Sequence, residues 1–562
     1  MHSWFHSEPA KIIRTTLILG AAYLLFGIRS QTEDANSYLV AIETGKLLWN
    51  PHHILYNPLM RAFWLAATFF LESVRSYHVV YVVNAFISGL AVTGFLYCCN
   101  ALRGNRVTSF IVTLLFAFSP AWVRYVTVAE VYHAAICCVI WGIYFWIRAR
   151  DDFASVRMWF LSGALIGLGG LFHQTVVLAG LGLMVATLLT WRRDSYDWRM
   201  VVAFAAGGIV VAGGGSILGA IASGHYPPVS IWEWLTAMGR SNAAWGRIEH
   251  FSGDWPSIFL GTVYQTIWAF PFKNSLLRFL FLVPFAVLIA IGIWKDRENR
   301  TLHIGLSVWC LMALVFAWWW VPWNREFVLL PMVAILLSAG ASLGLLEQQI
   351  EITSIRWIVA VSLGLLVLLA FPFLIWKEWR PNTEWTTKGL THLGTTLAAT
   401  EGEEDHFLIA DYAAYDVLYL YYPDDVPEME WSTILTEEGA ARVTDAIRQG
   451  RIVIVDAYAL GAPFNALRDP KHIGGMDPQV RATRRLLAAL SAGRDLPTGQ
   501  HPVAEPVEVM EKLRAYRFAP GGPSAPAPQV YERLHGDLSA LPQTAAHADY
   551  LLDLAQESRT TE

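Results

Sequence analysis

Eleven apolar runs govern what this chain can become. They fall near residues 12–28, 77–99, 107–121, 131–147, 158–172, 174–191, 200–222, 276–294, 302–320, 326–346 and 355–376. About 20 apolar residues in an α-helix cross the ~30 Å hydrocarbon core of a bilayer. Lipid offers no partner to backbone N–H and C=O groups, so spanning runs of this kind must be helical. Only 15% of the 562 residues are charged, against roughly 25% in soluble proteins, and mean hydropathy is +0.39. The first two thirds of the chain is therefore expected to be a polytopic helical membrane domain of about eleven transmembrane helices. The run Ile12 to Ile28 lacks a small-residue cleavage site and is expected to remain as the first span rather than leave as a signal peptide. All five cysteines, Cys98, Cys99, Cys137, Cys138 and Cys310, lie inside apolar runs. They read as small hydrophobes, not as a disulfide framework or a metal site. A net charge of −5 and the lack of a basic stripe or recognition motif argue against nucleic acid as a partner.

Loop charge sets the orientation. Arg103 and Arg106 share one short loop, Arg148, Arg150 and Arg157 a second, Arg192, Arg193 and Arg199 a third, and Lys295, Arg297 and Arg300 a fourth. Positive loops stay in the cytoplasm, and these alternate as the spans require. The N-terminus, with Lys11 and Arg14, is expected to join them. The stretches 29–76, 122–130, 223–275 and 321–325 then face outward, as does the tail. Within the first, Ile54 to Leu71 is apolar but broken by Asn57, Pro58 and Arg61, which predicts a helix lying in the interface rather than across it. The stretch from Gly224 to Lys273 carries Trp232, Trp234, Trp245, Trp255 and Trp268, and tryptophan at that depth is ordinary membrane anchoring.

The composition changes after Trp376. Three of the 25 tryptophans, Trp379, Trp385 and Trp431, lie beyond it. Residues 406–410 and 451–455 read as short buried strands, and 433–449, 480–492 and 505–516 have helical spacing. The stretch 519–529, rich in Pro, Gly and Ala, reads as a loop or linker. The expected organisation is a membrane domain over 1–376 and a soluble α/β domain over 377–562.

Each outward turn carries polar groups at similar depth. The first supplies Glu33, Asp34, His52, His53 and Tyr56, and the second Arg124, Glu130, Tyr132 and His133. The third supplies His173 and Gln174, and the last Asn324, Arg325 and Glu326. Any one of these can pair with a neighbour or snorkel to the interface. Four turns together predict a cavity opening outward, because ionisable groups near lipid are costly unless something uses them. Arginine forks bind phosphate through paired hydrogen bonds. A carboxylate such as Asp34 can take the proton of an acceptor hydroxyl or amine, and aromatic walls suit sugar rings. These parts suggest glycosyl transfer from a lipid-phosphate donor.

Two motifs then carry a resemblance. Ser119-Pro120-Ala121-Trp122, followed by Ala129-Glu130-Val131-Tyr132, looks like the signature of membrane proteins related to protein O-mannosyltransferases, in the GT-C glycosyltransferase superfamily. Gly167-Leu168-Gly169-Gly170, ending in His173-Gln174-Thr175, resembles that family's next signature. The first loop is similar in its Asp34, Gly45 and Pro51-His52-His53. Asn324-Arg325-Glu326-Phe327 with Leu330-Pro331 resembles the superfamily's Arg-aromatic-Leu-Pro turn. In the tail, a strand, Asp411 and a helix bearing Leu418, Tyr419 and Tyr421 add to it, so that the resemblance covers most of 10–425. One position departs from the pattern: Ser37 stands where the family often has a second carboxylate.

The resemblance implies an inverting glycosyltransferase that uses a polyprenyl-phosphate sugar as donor and a protein, lipid or glycan as acceptor. It implies Asp34 as catalytic base and Glu130 as the second acid. Arg325 with Arg124 would hold the donor phosphate, and His53, Tyr132 and His173 would shape the donor-sugar pocket. It implies a bacterial inner-membrane protein with a cytoplasmic N-terminus and a periplasmic C-terminal domain. No metal cluster stands out; only His52 and His53 with Asp34 could hold a divalent ion. The competing reading is a transporter or flippase of a lipid-linked or small polar substrate. Transporters place ionisable groups near the midplane on broken helices in repeated halves, whereas here no internal repeat is evident and the polar groups gather at one face.

Overall fold

The computed structural model describes residues 2–29, 31–46, 48–102, 106–151, 155–194, 197–226, 228–241, 251–349, 353–375, 406–410, 412–421, 428–461, 477–510, 513–541 and 548–561. Trp245, Trp379, Trp385 and Asp411 lie outside the described residues. The chain forms two compact units. The first comprises Met1–Gln31, Ala41–Thr236 and Trp245–Trp385, and the second comprises Thr32–Val40, Ala237–Ala244 and Thr386–Glu562.

The first unit is helical. Among the described residues, eight helices are long and apolar enough to cross a membrane. They run within α1 (His2–Phe26), α4 (Ser76–Ala101), α7 (Tyr132–Asp151), α9 (Val176–Asp194), α10 (Arg199–Ala222), α13 (Ser275–Lys295), α14 (Arg300–Trp320) and α15 (Glu326–Gln349). Shorter apolar helices are α5 (Arg106–Ala117), α8 (Val156–Phe172) and the 364–374 part of α16 (Thr353–Leu374). The chain is thus an integral membrane protein whose helices coincide with the eleven expected runs.

Several boundaries differ, each for a local reason. The run expected over 107–121 stops at Ala117, because Pro120 opens a separate short helix, α6 (Pro120–Tyr125), with extended Ser119 before it. Proline is pre-set for the first helical position and has no N–H for the turn before it. In the first outward stretch the helix expected over 54–71 forms as α3 (Tyr56–Thr68), and a further helix, α2 (Glu33–Thr44), precedes it. The stretch 223–275 likewise contains α11 (Pro228–Ser241) and α12 (Trp255–Ile267).

Glycines of α8 and α10 act through packing. A Cβ on Gly163 would meet the Phe204 carbonyl at 1.9 Å, and one on Gly207 would meet the Phe160 carbonyl at 2.2 Å. Gly167 faces the Gly208 carbonyl at 2.6 Å on the same terms. Without side chains the backbones of α8 and α10 touch, as small residues allow between membrane helices. α8 ends at Phe172, and His173 follows it in an extended conformation.

The second unit holds a five-stranded sheet of order β2-β1-β3-β6-β5, built from β1 (His406–Ala410), β2 (Met429–Glu430), β3 (Ile452–Asp456), β5 (Glu505–Met510) and β6 (Leu513–Phe518). A small ribbon pairs β4 (Gln500–Pro502) with β7 (Ser524–Pro526). β1 is parallel to β2 and β3, and β3 to β6 and β6 to β5 are antiparallel. Phe407, Ile409, Val453, Val455, Tyr516 and Phe518 face one core, while Leu408, Ile454 and Ala515 face the other. This alternation buries both faces of the central strands, which is why they read as continuous apolar runs.

The helix expected over 505–516 is instead the β5–β6 hairpin. Val507 and Val509 flank Glu508, and alternation with β-branched side chains favours a pleated surface. The linker expected over 519–529 also contains β7 and the start of the helix Ala527–Ser539. The remaining expected helices appear as Glu437–Arg448, after a 3-10 turn at Trp431–Leu435, and Asp477–Gly493. The contact boundary departs from the expected cut at 376, since Thr32–Val40 and Ala237–Ala244 group with the C-terminal residues.

Candidate active site

The turn after α6 is built by long-range hydrogen bonds. Thr127 Oγ1 donates to the Ile28 carbonyl at 2.6 Å, and Gln31 Oε1 accepts from the Ala129 N–H at 2.8 Å. From α4, Asn84 Nδ2 donates to the Val128 carbonyl at 2.5 Å and to Tyr56 Oη at 3.0 Å, and Ser88 Oγ donates to the Val126 carbonyl at 3.2 Å. Trp122 donates through Nε1 to Tyr23 Oη at 3.1 Å, and its ring lies 4.3 Å from that of His133. The Ser-Pro-Ala-Trp and Ala-Glu-Val-Tyr motifs are therefore one clamped turn. It holds Glu130 at 2% exposure and Tyr132 at 4%.

The first loop is stitched to the turn after α8. Gln174 donates through Nε2 to the Pro51 carbonyl at 2.5 Å and through its N–H to the His52 carbonyl at 3.2 Å. Leu55 N–H donates to the Leu171 carbonyl at 3.0 Å. The rings of Tyr132 and His173 lie 4.5 Å apart, and Phe327 stands edge-on to Tyr132 at 6.2 Å and to His173 at 6.5 Å. Phe327 comes from the last outward turn, where Asn324 Oδ1 accepts from the Glu326 N–H at 3.0 Å and Asn324 Nδ2 returns a bond to the Glu326 carboxylate at 3.1 Å. Residues from four turns thus meet at one end of the helices.

The electrostatics follow from burial. His52 is pushed down to about 4 by burial. Burial, with His52 adding repulsion, takes His173 to about 3. His53 is held well below its ordinary value by burial, then by His52 and His173. All three are neutral imidazoles at neutral pH. Burial raises Tyr125 well above the usual phenol range; Glu326 and Glu130 push the same way, while Arg325 and Arg124 oppose. Two guanidinium groups and two carboxylates therefore surround one phenol. Burial also raises Tyr56, with Glu130 adding to the effect. Among the described residues, no three His, Cys, Asp or Glu side chains are arranged to hold a metal ion.

The histidines give a pH prediction. A folded-state pKa below the unfolded value of about 6.5 means the unfolded chain binds protons more readily, so stability is complete above that pH and is lost as pH falls toward the folded values. The melting temperature of the purified protein should drop between pH 7 and pH 5. It should drop less in the double variant His52→Gln/His173→Gln. Equal pH slopes in the two proteins would show that the cluster is not buried neutral.

Asp34 belongs to the second unit. Thr32 Oγ1 accepts from the Ala35 N–H at 3.1 Å, an N-cap that opens α2 and leaves Asp34 in its first turn. Solvent reaches the side chain, yet desolvation raises its carboxyl above the ordinary value. Both hold for a carboxylate open to water on one side and crowded by protein on the others. Among the described residues it has no hydrogen-bond or ion-pair partner.

Of the residues singled out in the sequence, Glu130, Arg124, Arg325, Tyr132, His53 and His173 come together in the first unit, and Asp34 is carried by the second. Sequence reasoning missed Tyr125, Asn84 and Gln31, and named Phe327 only as part of its motif. Asn84 carried a readable signal, being an amide in the middle of an apolar run, where polar side chains are rarely neutral in role.

Residues 56–212 match the family described as dolichyl-phosphate-mannose-protein mannosyltransferase, a stretch that includes the Arg124–Tyr132 turn and His173. No curated protein matches the chain by sequence. Among solved structures, the chain is similar to ArnT from Cupriavidus metallidurans bound to undecaprenyl phosphate, at 11% identity, with 92% of this chain and 99% of that one covered and a TM-score of 0.51. The Archaeoglobus fulgidus oligosaccharyltransferase in its apo form is matched at 12% identity, covering 83% and 71% of the two chains, with a TM-score of 0.46. The arabinofuranosyltransferase AftD from Mycobacteria is matched at 12% identity, covering 90% and 41%, with a TM-score of 0.44. The likeness to ArnT runs almost the full length of both chains and shows that the two share a fold.

Proposed function

We propose that this GT-C-fold chain is a membrane glycosyltransferase that moves a sugar from a polyprenyl-phosphate carrier to a protein, lipid or glycan acceptor. The observation that carries the reading is the meeting, at one end of the helices, of an acid, two arginines and an aromatic–imidazole shelf. A neutral shelf of Tyr132, His173 and Phe327 suits an uncharged sugar ring. Arg325 and Arg124 complement a phosphate, and charge-assisted forks of this type are strong in partly dry sites. Gathering at helix ends, rather than near the midplane, favours an enzyme over a transporter.

The reaction is a single displacement. The acceptor oxygen or nitrogen attacks the anomeric carbon, the bond from that carbon to the phosphate oxygen breaks, and the polyprenyl phosphate leaves with the electron pair. Asp34 takes the acceptor's proton, and a carboxylate with a raised pKa is the better base for it. Glu130 orients the acceptor, and His53 borders the sugar. The opposite ends of the helices carry the basic loops, where Arg150 donates to Asn299 Oδ1 at 2.6 Å and Arg193 donates to the Arg297 carbonyl. With positive loops inside, the site faces away from the cytoplasm, in a bacterial inner membrane with a cytoplasmic N-terminus and a periplasmic C-terminal domain.

The test uses purified protein in liposomes with a polyprenyl-phosphate sugar labelled in the sugar, and mass spectrometry of co-purified lipid. We expect free polyprenyl phosphate, label on an acceptor, and a polyprenyl phosphate bound to the protein as isolated. Movement of label across the bilayer without any product would replace this reading by transport.

A further inference from the structure

The second unit holds a carboxylate that the mechanism has not used. Asp416 is fully buried in the helix Tyr412–Tyr421 that follows β1. Ser37 Oγ donates to its Oδ2 at 2.6 Å, across 379 residues of chain. From the same helix, Tyr421 Oη donates to Asn36 Oδ1 at 3.3 Å, and Asn36 is itself buried. Ser37 is three residues after Asp34 on α2. Residues at that spacing are neighbours on one helix face, with Cβ atoms about 5–6 Å apart. A hydroxyl bonded at this length to a carboxylate belongs to the strong, charge-assisted class. The first turns of α2 are therefore held twice, by the Thr32 cap at the start and by Asp416 and Tyr421 one turn on.

We propose that Asp416 is a positioning residue for the transfer reaction. Acting through Ser37, it holds the opening of α2, and with it the Asp34 carboxylate, where Asp34 takes the acceptor's proton. The inference rests on the reading of Asp34 as base. It also explains why position 37 is a hydroxyl: serine can donate to Asp416, whereas a carboxylate there would set charge against charge. The C-terminal residues then take part in catalysis through α2.

The test compares Ser37→Ala, Asp416→Asn and Asp416→Ala in the full chain, in liposomes with the polyprenyl-phosphate sugar. A displacement near 1 Å in a reacting group costs on the order of 10²-fold, so Ser37→Ala should lower kcat by roughly 10- to 100-fold with donor KM unchanged. Asp416→Asn keeps an acceptor oxygen for Ser37 and should retain more activity than Asp416→Ala. The acid limb of kcat against pH, which Asp34 sets, should move in Ser37→Ala, and amide hydrogen exchange over 33–40 should rise with the rest of the protein unchanged. Wild-type kcat and an unmoved acid limb in Ser37→Ala would overturn the proposal. So would unchanged exchange over 33–40, whatever the activity. A wild-type protein that transfers no sugar would count against the glycosyltransferase reading alone, since the exchange measurement still decides whether Asp416 holds α2.

Discussion

Replacing Asp34 by Asn should lower kcat on the order of 10³-fold, the middle of the range for removing a positioned general base. Donor binding should change little, because the substitution keeps the size of the side chain and removes only its ability to take a proton. Folding should survive. The carboxyl has a folded-state pKa raised by desolvation, so its charged form is disfavoured in the native state and its contribution to stability falls as pH rises through that value. At neutral pH the neutral amide should leave the melting temperature equal or higher. Activity lost while stability holds or improves is the pattern of a group kept for chemistry. Full turnover in Asp34→Asn would remove it as the base.

Arg325→Ala should act on binding instead. Arg325 stands near Tyr125 with Arg124, Glu130 and Glu326. If its guanidinium holds the donor phosphate, its loss removes a hydrogen bond to a charged group, worth about 1.5–3 kcal/mol, or roughly 10- to 100-fold in affinity. The apparent Kd for a polyprenyl phosphate, read by native mass spectrometry or by competition against transfer, should rise by that factor. Arg325→Lys should recover part of the loss, because lysine keeps the charge and loses the fork. A variant that binds donor normally but turns over slowly would move Arg325 from the donor phosphate to the transition state.

Much of the membrane unit was legible because lipid leaves a backbone few choices. A run such as Ser76–Ala101 can only be a helix there, and arginines in short loops orient it. The irregular parts were less legible. α2 is a 12-residue helix without a strong apolar stripe, and its one plain signal was a threonine followed by two acids, the composition of a capped first turn. The β5–β6 hairpin was read as helix because Glu, Lys and Arg are helix formers in isolation, while the alternating valines followed the sheet they pair into. The meeting of turns was inferred from repeated polar residues at one depth, but its contacts were not. Nothing in the sequence near His52 announces that Gln174 will bond its carbonyl, and Ser37 gives no hint of Asp416. Such pairs are set by how whole helices and strands pack, and local patterns carry no record of them.

The span between Ser37 and Asp416 also bears on how the protein is made. Synthesis proceeds at about 5–20 residues per second, so the 379 residues that separate the pair take on the order of 20–80 s to appear. Throughout that interval the first helices are already being inserted, and α2 lacks the carboxylate to which it will bond. A newly inserted chain therefore passes through a long-lived stage in which Asp34 is present but not yet fixed. These contacts of α2 are completed only once the last third of the polypeptide has appeared, and an interrupted or prematurely terminated chain lacks them.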